Sequence, residues 1–355
     1  MSMAAQENIL LLSKAGFAEV FSALKEKYDL FGPTIKEGRG MYSDTDICLY
    51  ARLDSSRELA LKNRSYFSSK ELALAVSEKL FELSSGGFLE EECKPRKKII
   101  FARSCDIEGF ARLDKLYLEN GLSVDPYYKR LRDTMTFFLL ECIEGFEGCF
   151  CQAVGSDQTE DYAVSLLARE DGFLVSIKEE SFSQWFETQS NVEEKDKFPE
   201  QGKIVQAPLP LPDFTKRELF ENPLWNEYNK RCIGCGRCNT VCPTCSCFSI
   251  YDTIDAQGNC IRKRSWSACQ IDGFAKVAGG HEYRMDKGQR MRYKIMHKFH
   301  NFKQRFGRQM CVGCGRCIEA CPEYIDIRES LKRLTPPFSN IQKCGEEERA
   351  GLSNG

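Results

Sequence analysis

Eight cysteines stand in two runs of this chain that share one spacing. The first run, CIGCGRCNTVCP, occupies residues 232–243, and the second, CVGCGRCIEACP, occupies residues 311–322. In each run, three cysteines are separated by two residues, and a fourth follows three residues later, directly before a proline. This is the bacterial pattern for [4Fe–4S] clusters, in which the fourth cysteine of each run ligates the cluster of the other run. The two runs are therefore predicted to form one unit.

The crossed pattern predicts the ligands of each cluster. The first cluster is assigned to Cys232, Cys235, Cys238 and Cys321, and the second to Cys311, Cys314, Cys317 and Cys242. The glycines within the runs allow tight turns that direct amide N–H groups at the sulfurs. Zinc is the alternative metal, because C-x-x-C pairs also bind zinc. The full order of four cysteines and a proline is more specific for cubane clusters.

Four cysteines of the N-terminal half are candidates for a third [4Fe–4S] cluster. Cys105 and Cys142 each stand near the end of a predicted strand, and alternation along an extended chain sends the side chains of Cys149 and Cys151 the same way. The alternative is that these are buried free cysteines, which pack as small hydrophobic side chains. Cys245 and Cys247 lie just beyond a predicted ligand and could line its pocket. No role is assigned to the remaining cysteines, which are Cys48, Cys93, Cys245, Cys247, Cys260, Cys269 and Cys344.

Hydrophobic periodicity predicts the elements that must position these cysteines. Helices are expected at residues 9–28 and 68–83, and a further helix is expected to begin with Asp106 as its N-cap. Gly32 and Pro33 are expected to end the first helix. Strands are expected at residues 47–53, 98–102 and 134–142, with a hairpin at 162–167 and 172–177.

The predicted fold class is an α+β N-terminal domain followed by an α-helical, two-cluster ferredoxin-like domain. Charged residues and then prolines fill residues 192–216, which is typical of a linker. The segment between the two cysteine runs is mostly helical by pattern and longer than a compact ferredoxin needs. The expected organisation is a domain at 1–205, a linker at 206–218, the cluster domain at 219–340 and a flexible tail at 341–355.

Composition favours a protein of the reducing cytoplasm. The chain has 355 residues, a formal net charge of −2 and 19 cysteines. The length allows about two domains, and the cysteines stand at cluster spacing rather than in the framework of a small disulfide-bonded protein. No basic leader begins the chain, and no apolar run approaches the roughly 20 residues of a membrane span. We therefore expect a soluble protein without a membrane span.

Residues 261–310 form a basic segment, with thirteen Lys or Arg against three acidic residues. Nucleic-acid binding is one interpretation of such a segment. A stronger one is that the cations stabilise anionic clusters, raise their potential and dock an acidic partner. The commonest explanation of a charged stretch is a solvated helix face.

Several motifs resemble the iron–sulfur subunit of anaerobic sulfite reductase. In the C-terminal half these are CPTCSCF at residues 242–248, WSACQ at 266–270, AGGH at 278–281 and RMR at 290–292. In the N-terminal half YSDTD at 42–46, FARSCD at 101–106, RLD at 112–114 and GCFC at 148–151 resemble the same family, which also includes beta subunits of some cytoplasmic hydrogenases.

The resemblance implies an electron-transfer subunit that is not itself catalytic. Its partners would be a flavin subunit that oxidises NADH and a sirohaem subunit that reduces sulfite to sulfide. The sequence agrees, because it has no G-x-G-x-x-G fingerprint and no nucleophile or acid–base constellation. The resemblance also places the four N-terminal cysteines inside matching motifs, which favours the third cluster. The alternatives are an electron-relay beta subunit of a hydrogenase or other redox complex, and a standalone iron–sulfur protein that works through its basic segment.

Overall fold

A mixed sheet of seven strands forms the centre of the N-terminal half. The structure is a computed structural model that describes residues 8–42, 44–84, 86–90, 95–186 and 208–335. The strands are β1 Asn8–Ser13, β2 Asp29–Lys36, β3 Ile47–Arg52, β6 Lys98–Ala102, β7 Met135–Leu140, β8 Val164–Ala168 and β9 Gly172–Ile177. The four strands β2, β6, β7 and β8 run parallel, and antiparallel strands extend the sheet at both edges in the order β1-β9-β8-β7-β6-β2-β3.

Helices cover both faces of this sheet because its central strands are apolar on both sides. Side chains of β6 alternate between two cores: Ile99 and Phe101 face α1, whereas Ile100 and Ala102 face α2. The helix α1 begins after Ser13, whose hydroxyl accepts a hydrogen bond of 3.1 Å from the N–H of Gly16. The helices of this half are α1 Lys14–Lys27, α2 Ser104–Tyr117, α3 Pro126–Arg132 and α4 Ser183–Phe186.

Two predicted helices differ from the observed elements. Residues 9–28, predicted to form one helix, form a strand followed by a helix. Gly32 and Pro33, expected to end that helix, lie inside β2. The second, residues 68–83, contains only a 3-10 turn at Ser69–Leu72, followed by the strand β4 Ser77–Ser84. This strand pairs with a strand from the C-terminal half. Pairing with a distant segment has overridden the local helical pattern, because strand formation depends strongly on the tertiary context of a segment.

The C-terminal region combines helices with a β-hairpin. The hairpin, β10 Phe248–Ile254 and β11 Cys260–Trp266, joins β4 and β5 Gly87–Leu89 in a four-stranded sheet of order β10-β11-β4-β5. The segment between the cysteine runs is therefore only partly helical. The helices are α5 Leu224–Arg231, α6 Arg237–Thr240, α7 Lys287–Met296, α8 Phe302–Phe306, α9 Arg316–Glu319 and α10 Ile327–Arg333, with a π-helical turn His297–Asn301 between α7 and α8.

The two halves are in contact, although their division into domains stays a prediction. The shared four-stranded sheet crosses the expected boundary. A separate apolar core fills the C-terminal half between α5, α7 and α10 and includes Trp225, Ile295 and Leu331. Of the predicted linker and tail, residues 206–207 and 341–355 lie outside the described residues, as do Cys93 and Cys344.

Candidate metal centre

The first cavity gathers the four cysteines that the crossed pattern assigns to the first cluster. Cys321 comes from the second run and meets the first three cysteines of the first run. Helix α5 ends one residue before Cys232, and the chain then turns through Gly234 and Gly236, both at φ +74°. The N–H of Gly234 donates to Cys232 Sγ over 3.4 Å. The cysteines that line this cavity are Cys232, Cys235, Cys238, Cys317 and Cys321.

The second cavity gathers the cysteines assigned to the second cluster. Cys242 reaches it from the first run, and the N–H of Gly313 donates to Cys311 Sγ over 3.4 Å. Cys238 and Cys317 line both cavities, so the two are adjacent. The cysteines around it are Cys238, Cys242, Cys311, Cys314 and Cys317.

The donors in these cavities suit a group that takes four thiolates. Each cavity presents at least four sulfurs, and apolar side chains such as Met291, Ile325 and Phe150 line part of the walls. Among the described residues, no three Cys, His, Asp or Glu side chains converge as ligands of one metal ion. A [4Fe–4S] cluster is bound by four cysteines around a multi-iron core rather than at one ion. The residues present therefore fit one [4Fe–4S] cluster in each cavity.

Two buried lysines, one on α7 and one in the π-helical turn that follows it, face the cysteines. Lys294 and Lys298 are 4% and 3% exposed, and their Nζ atoms donate to the Cys238 carbonyl over 3.3 Å and to Thr244 Oγ1 over 2.8 Å. Burial by itself lowers the pKa of the Lys298 ammonium, but nearby thiolates, first that of Cys242, raise it above its ordinary value. In the part of the chain that the structure describes, no carboxylate pairs with either lysine. Their positive charges are thus directed at the cysteine sites.

The structure brings three of the four N-terminal cysteines into one neighbourhood. Burial raises the pKa of the Cys105 thiol, and Cys314 and Cys142 lie within its electrostatic reach. Burial likewise raises the pKa of Cys142, with Cys149 among its neighbours. Cys151 is buried in the same loop, where its backbone meets Gly313. The candidate third site is therefore beside the second cavity, and its ligand set stays a prediction.

A buried ion pair joins this N-terminal site to the second cysteine run. Arg316 and Asp106 have side-chain exposures of 1% and 0%, and the Arg316 Nη2 donates to Asp106 Oδ2 over 2.8 Å. Arg316 also donates to the carbonyl and hydroxyl of Ser65, and Tyr50 donates to Asp106 over 3.1 Å. The predicted role of Asp106 as an N-cap is wrong, because Arg103 is the N-cap and Asp106 lies in the first turn of α2.

The comparisons with known proteins agree with this geometry. The family described as "4Fe-4S dicluster domain" matches residues 231–325. The chain is 31% identical over 339 residues to "Sulfhydrogenase 2 subunit beta" of Pyrococcus furiosus, a match that covers 89% of this chain and 97% of that protein. The chain belongs to the sulfhydrogenase beta-subunit family. No solved structure matches it.

Family membership and the dicluster match make this chain an iron–sulfur electron-transfer subunit of a multi-subunit redox complex. The same match, over residues 231–325, places a two-cluster domain across both cysteine runs, and the cysteines that bind each cluster stay a prediction. None of the helices within the described ranges has the length and hydropathy of a membrane span.

Two motifs of the resemblance lie beside the two cavities. Cys269 is buried and accepts hydrogen bonds from Asn239 Nδ2 over 3.2 Å and from Gln270 Nε2 over 3.7 Å. Lys70 donates to the Cys245 carbonyl over 3.1 Å, and its Nζ lies 4.1 Å from the centre of the Trp266 ring. Sequence reasoning missed Lys70 because it stands in a segment that was predicted to be an ordinary amphipathic helix.

Proposed function

We propose that this chain carries electrons through its two cysteine cavities between a donor and an acceptor subunit of one complex. The observation that carries the proposal is the adjacency of the cavities, which share Cys238 and Cys317 in their walls. Each [4Fe–4S] cluster, when bound, accepts and releases one electron. The crossed ligand sets proposed for the two clusters are Cys232, Cys235, Cys238, Cys321 and Cys311, Cys314, Cys317, Cys242.

The protein residues would hold the clusters, exclude water and set the local charge. Lys294 lines both cavities and Lys298 lines the second, so an electron added at either cluster site would meet positive charge at short range. Nearby cations stabilise the reduced form of a cluster, which is the more negative form, and so raise the reduction potential of the cluster. The apolar side chains around the cavities would limit the access of solvent to the clusters. Solvent exposure also affects the reduction potential of a cluster.

We further propose that Cys105, Cys142, Cys149 and Cys151 hold a third [4Fe–4S] cluster. Its support is the proximity of Cys105 to both Cys142 and Cys314, which would extend the relay from the second cavity into the N-terminal half. A cluster held by these cysteines would therefore lie beside the proposed second cluster. The four-thiolate requirement of a cubane matches the number of cysteines.

Two complexes suit such a relay. The sequence motifs favour a cytoplasmic sulfite reductase, in which the partners are a flavin subunit that oxidises NADH and a sirohaem subunit. The Pyrococcus furiosus relative favours a hydrogenase complex at least as strongly. In neither does the chain bind nucleic acid.

Purification of the native complex tests these proposals. We expect stable co-purification with redox subunits. Sirohaem absorbance and sulfite-dependent NADH oxidation would identify the first complex, and hydrogen-dependent dye reduction without sirohaem would identify the second. The isolated, cluster-loaded chain should accept electrons from dithionite but neither oxidise NADH nor reduce sulfite. Turnover of either substrate by the chain alone would refute the relay.

A further inference from the structure

The two cysteine runs have nearly the same sequence but opposite environments. In the second run the matching residues are buried, with Val312 and Arg316 each 1% exposed and Cys314 7% exposed. In the first run Ile233 is 56% exposed, and both Cys235 and Arg237 are also exposed. Solvent therefore reaches the first cavity from a side that is closed at the second.

The N-terminal half is what closes the second run. The N–H of Phe150 donates to the Gly313 carbonyl over 2.7 Å, and the Ser156 hydroxyl donates to the Val312 carbonyl over 2.8 Å. A Cβ added at Gly313 would lie 2.5 Å from the Phe150 carbonyl oxygen, so the two backbones touch. The second cavity is thus an interior site, and only the first presents a ligand at the surface.

Tyr324 stands out beside the exposed run. Among the described residues it is the one non-glycine with positive φ, at +51°, and its side chain is 85% exposed. Its N–H donates to the Cys321 carbonyl over 3.1 Å, and its own carbonyl accepts from Arg231 over 3.5 Å. A bulky residue in this backbone region is strained. Within the described chain, no burial of the ring compensates for that strain.

The charge around these residues is mainly positive. Lys230, Arg231 and Arg237 are exposed, and so are the carboxylates of Glu227 and Glu323, of which Glu227 is paired with Arg333. The exposed ring of Tyr324 and the aliphatic side chain of Ile233 lie among arginines. Aromatic residues and arginine are enriched at protein–protein interfaces. The positive charge selects a partner of negative charge and speeds its association.

We propose that the port surface, formed by Arg231, Ile233, Cys235, Arg237 and Tyr324, docks an acidic one-electron carrier protein or subunit. The inference rests on the proposed relay and identifies the first cavity as the end that exchanges electrons with the partner. One electron crosses between the partner's redox group and the cluster site of Cys232, Cys235, Cys238 and Cys321. No bond forms or breaks between the two proteins, and a proton that the partner's redox group takes up on reduction comes from solvent.

Electron transfer to an acidic flavodoxin tests the port. The cluster-loaded full chain, reduced without oxygen, is mixed with oxidised flavodoxin in a stopped-flow instrument, and the affinity is measured by calorimetry at low and high salt. For Arg231→Glu and Arg237→Glu we expect the second-order rate constant and the affinity at low salt to fall about tenfold or more, because steering depends on charge. The wild-type rate should fall steeply with ionic strength.

Matched controls separate docking from damage to the fold. Arg57→Glu is an exposed charge reversal in the N-terminal half, and Leu122→Asp alters a fully exposed apolar residue between α2 and α3. Both should stay within about twofold of wild type, as surface changes outside an interface usually do. Tyr324→Gly removes the exposed ring and should therefore lower flavodoxin affinity. Because the same change relieves the backbone strain, it should not lower the melting temperature.

The outcomes distinguish this inference from the relay itself. If the port variants match the controls, or if the wild type does not bind flavodoxin, the docking surface is refuted. Reduction of the small dye benzyl viologen should stay unchanged in both control variants. If the wild-type chain cannot reduce that dye either, the proposed relay fails as well.

Discussion

The buried pair of Arg316 and Asp106 can be tested by a double-mutant cycle. Arg316→Met and Asp106→Leu each remove one partner. The other charge then stays buried, with neither its counter-charge nor water to solvate it. Loss of Arg316 would leave the Asp106 carboxylate with the Tyr50 hydroxyl at 3.1 Å, and loss of Asp106 would leave the guanidinium with Ser65 alone. Breaking one partner of a buried pair typically costs about 3–5 kcal/mol.

The double variant should cost less than the sum of the single variants. Replacing both charges by apolar side chains removes the desolvation penalty together with the attraction, and such changes are often close to neutral. We therefore expect a coupling energy of at least about 2 kcal/mol between the two positions. Arg237→Met is the matched control, since Arg237 holds the same place in the first run but is exposed, and it should change stability by about 0.5 kcal/mol or less.

Urea unfolding of the cluster-loaded chain under anaerobic conditions measures these quantities. Circular dichroism reports the fold, visible absorbance reports the clusters, and iron content is determined for each variant before unfolding. The reasoning is refuted if the single variants cost less than about 1 kcal/mol, or if their costs simply add in the double variant.

Three further predictions concern the cysteine sites and their contact with the N-terminal half. Cys321→Ser should perturb the spectrum of the cluster held by the first run; a change confined to the second run's cluster would disprove the crossed ligation. Gly313→Ala should destabilise the chain by several kcal/mol more than Gly155→Ala in urea unfolding, because both glycines have φ +62° but a Cβ meets another backbone only at Gly313; equal costs would contradict the close approach. Replacing Cys149 and Cys151 by Ala should lower iron from about twelve to about eight per chain; unchanged iron in a folded variant would leave two clusters only.

The chemistry of this chain follows from local sequence. Three cysteines of each run lie within seven consecutive residues, so their spacing alone indicates one cluster, and the family match agrees. The strands Lys98–Ala102 and Met135–Leu140 were also predictable, because buried parallel strands are continuous apolar runs. The strand Ser77–Ser84 was not, since its burial is irregular and one of its two partners is β11, far along the chain.

Only the tertiary structure decided which cluster site is interior. The sequence Cys-Gly-Arg-Cys occurs in both runs, yet Arg237 is exposed and Arg316 is buried against Asp106. No local pattern separates the two arginines, because the difference comes from the N-terminal half packing on the Cys-Gly-Arg-Cys segment of the second run and leaving Cys235 and Arg237 of the first run exposed. Burial of a side chain depends on every segment that reaches it, whereas ligand spacing depends on a few neighbouring residues.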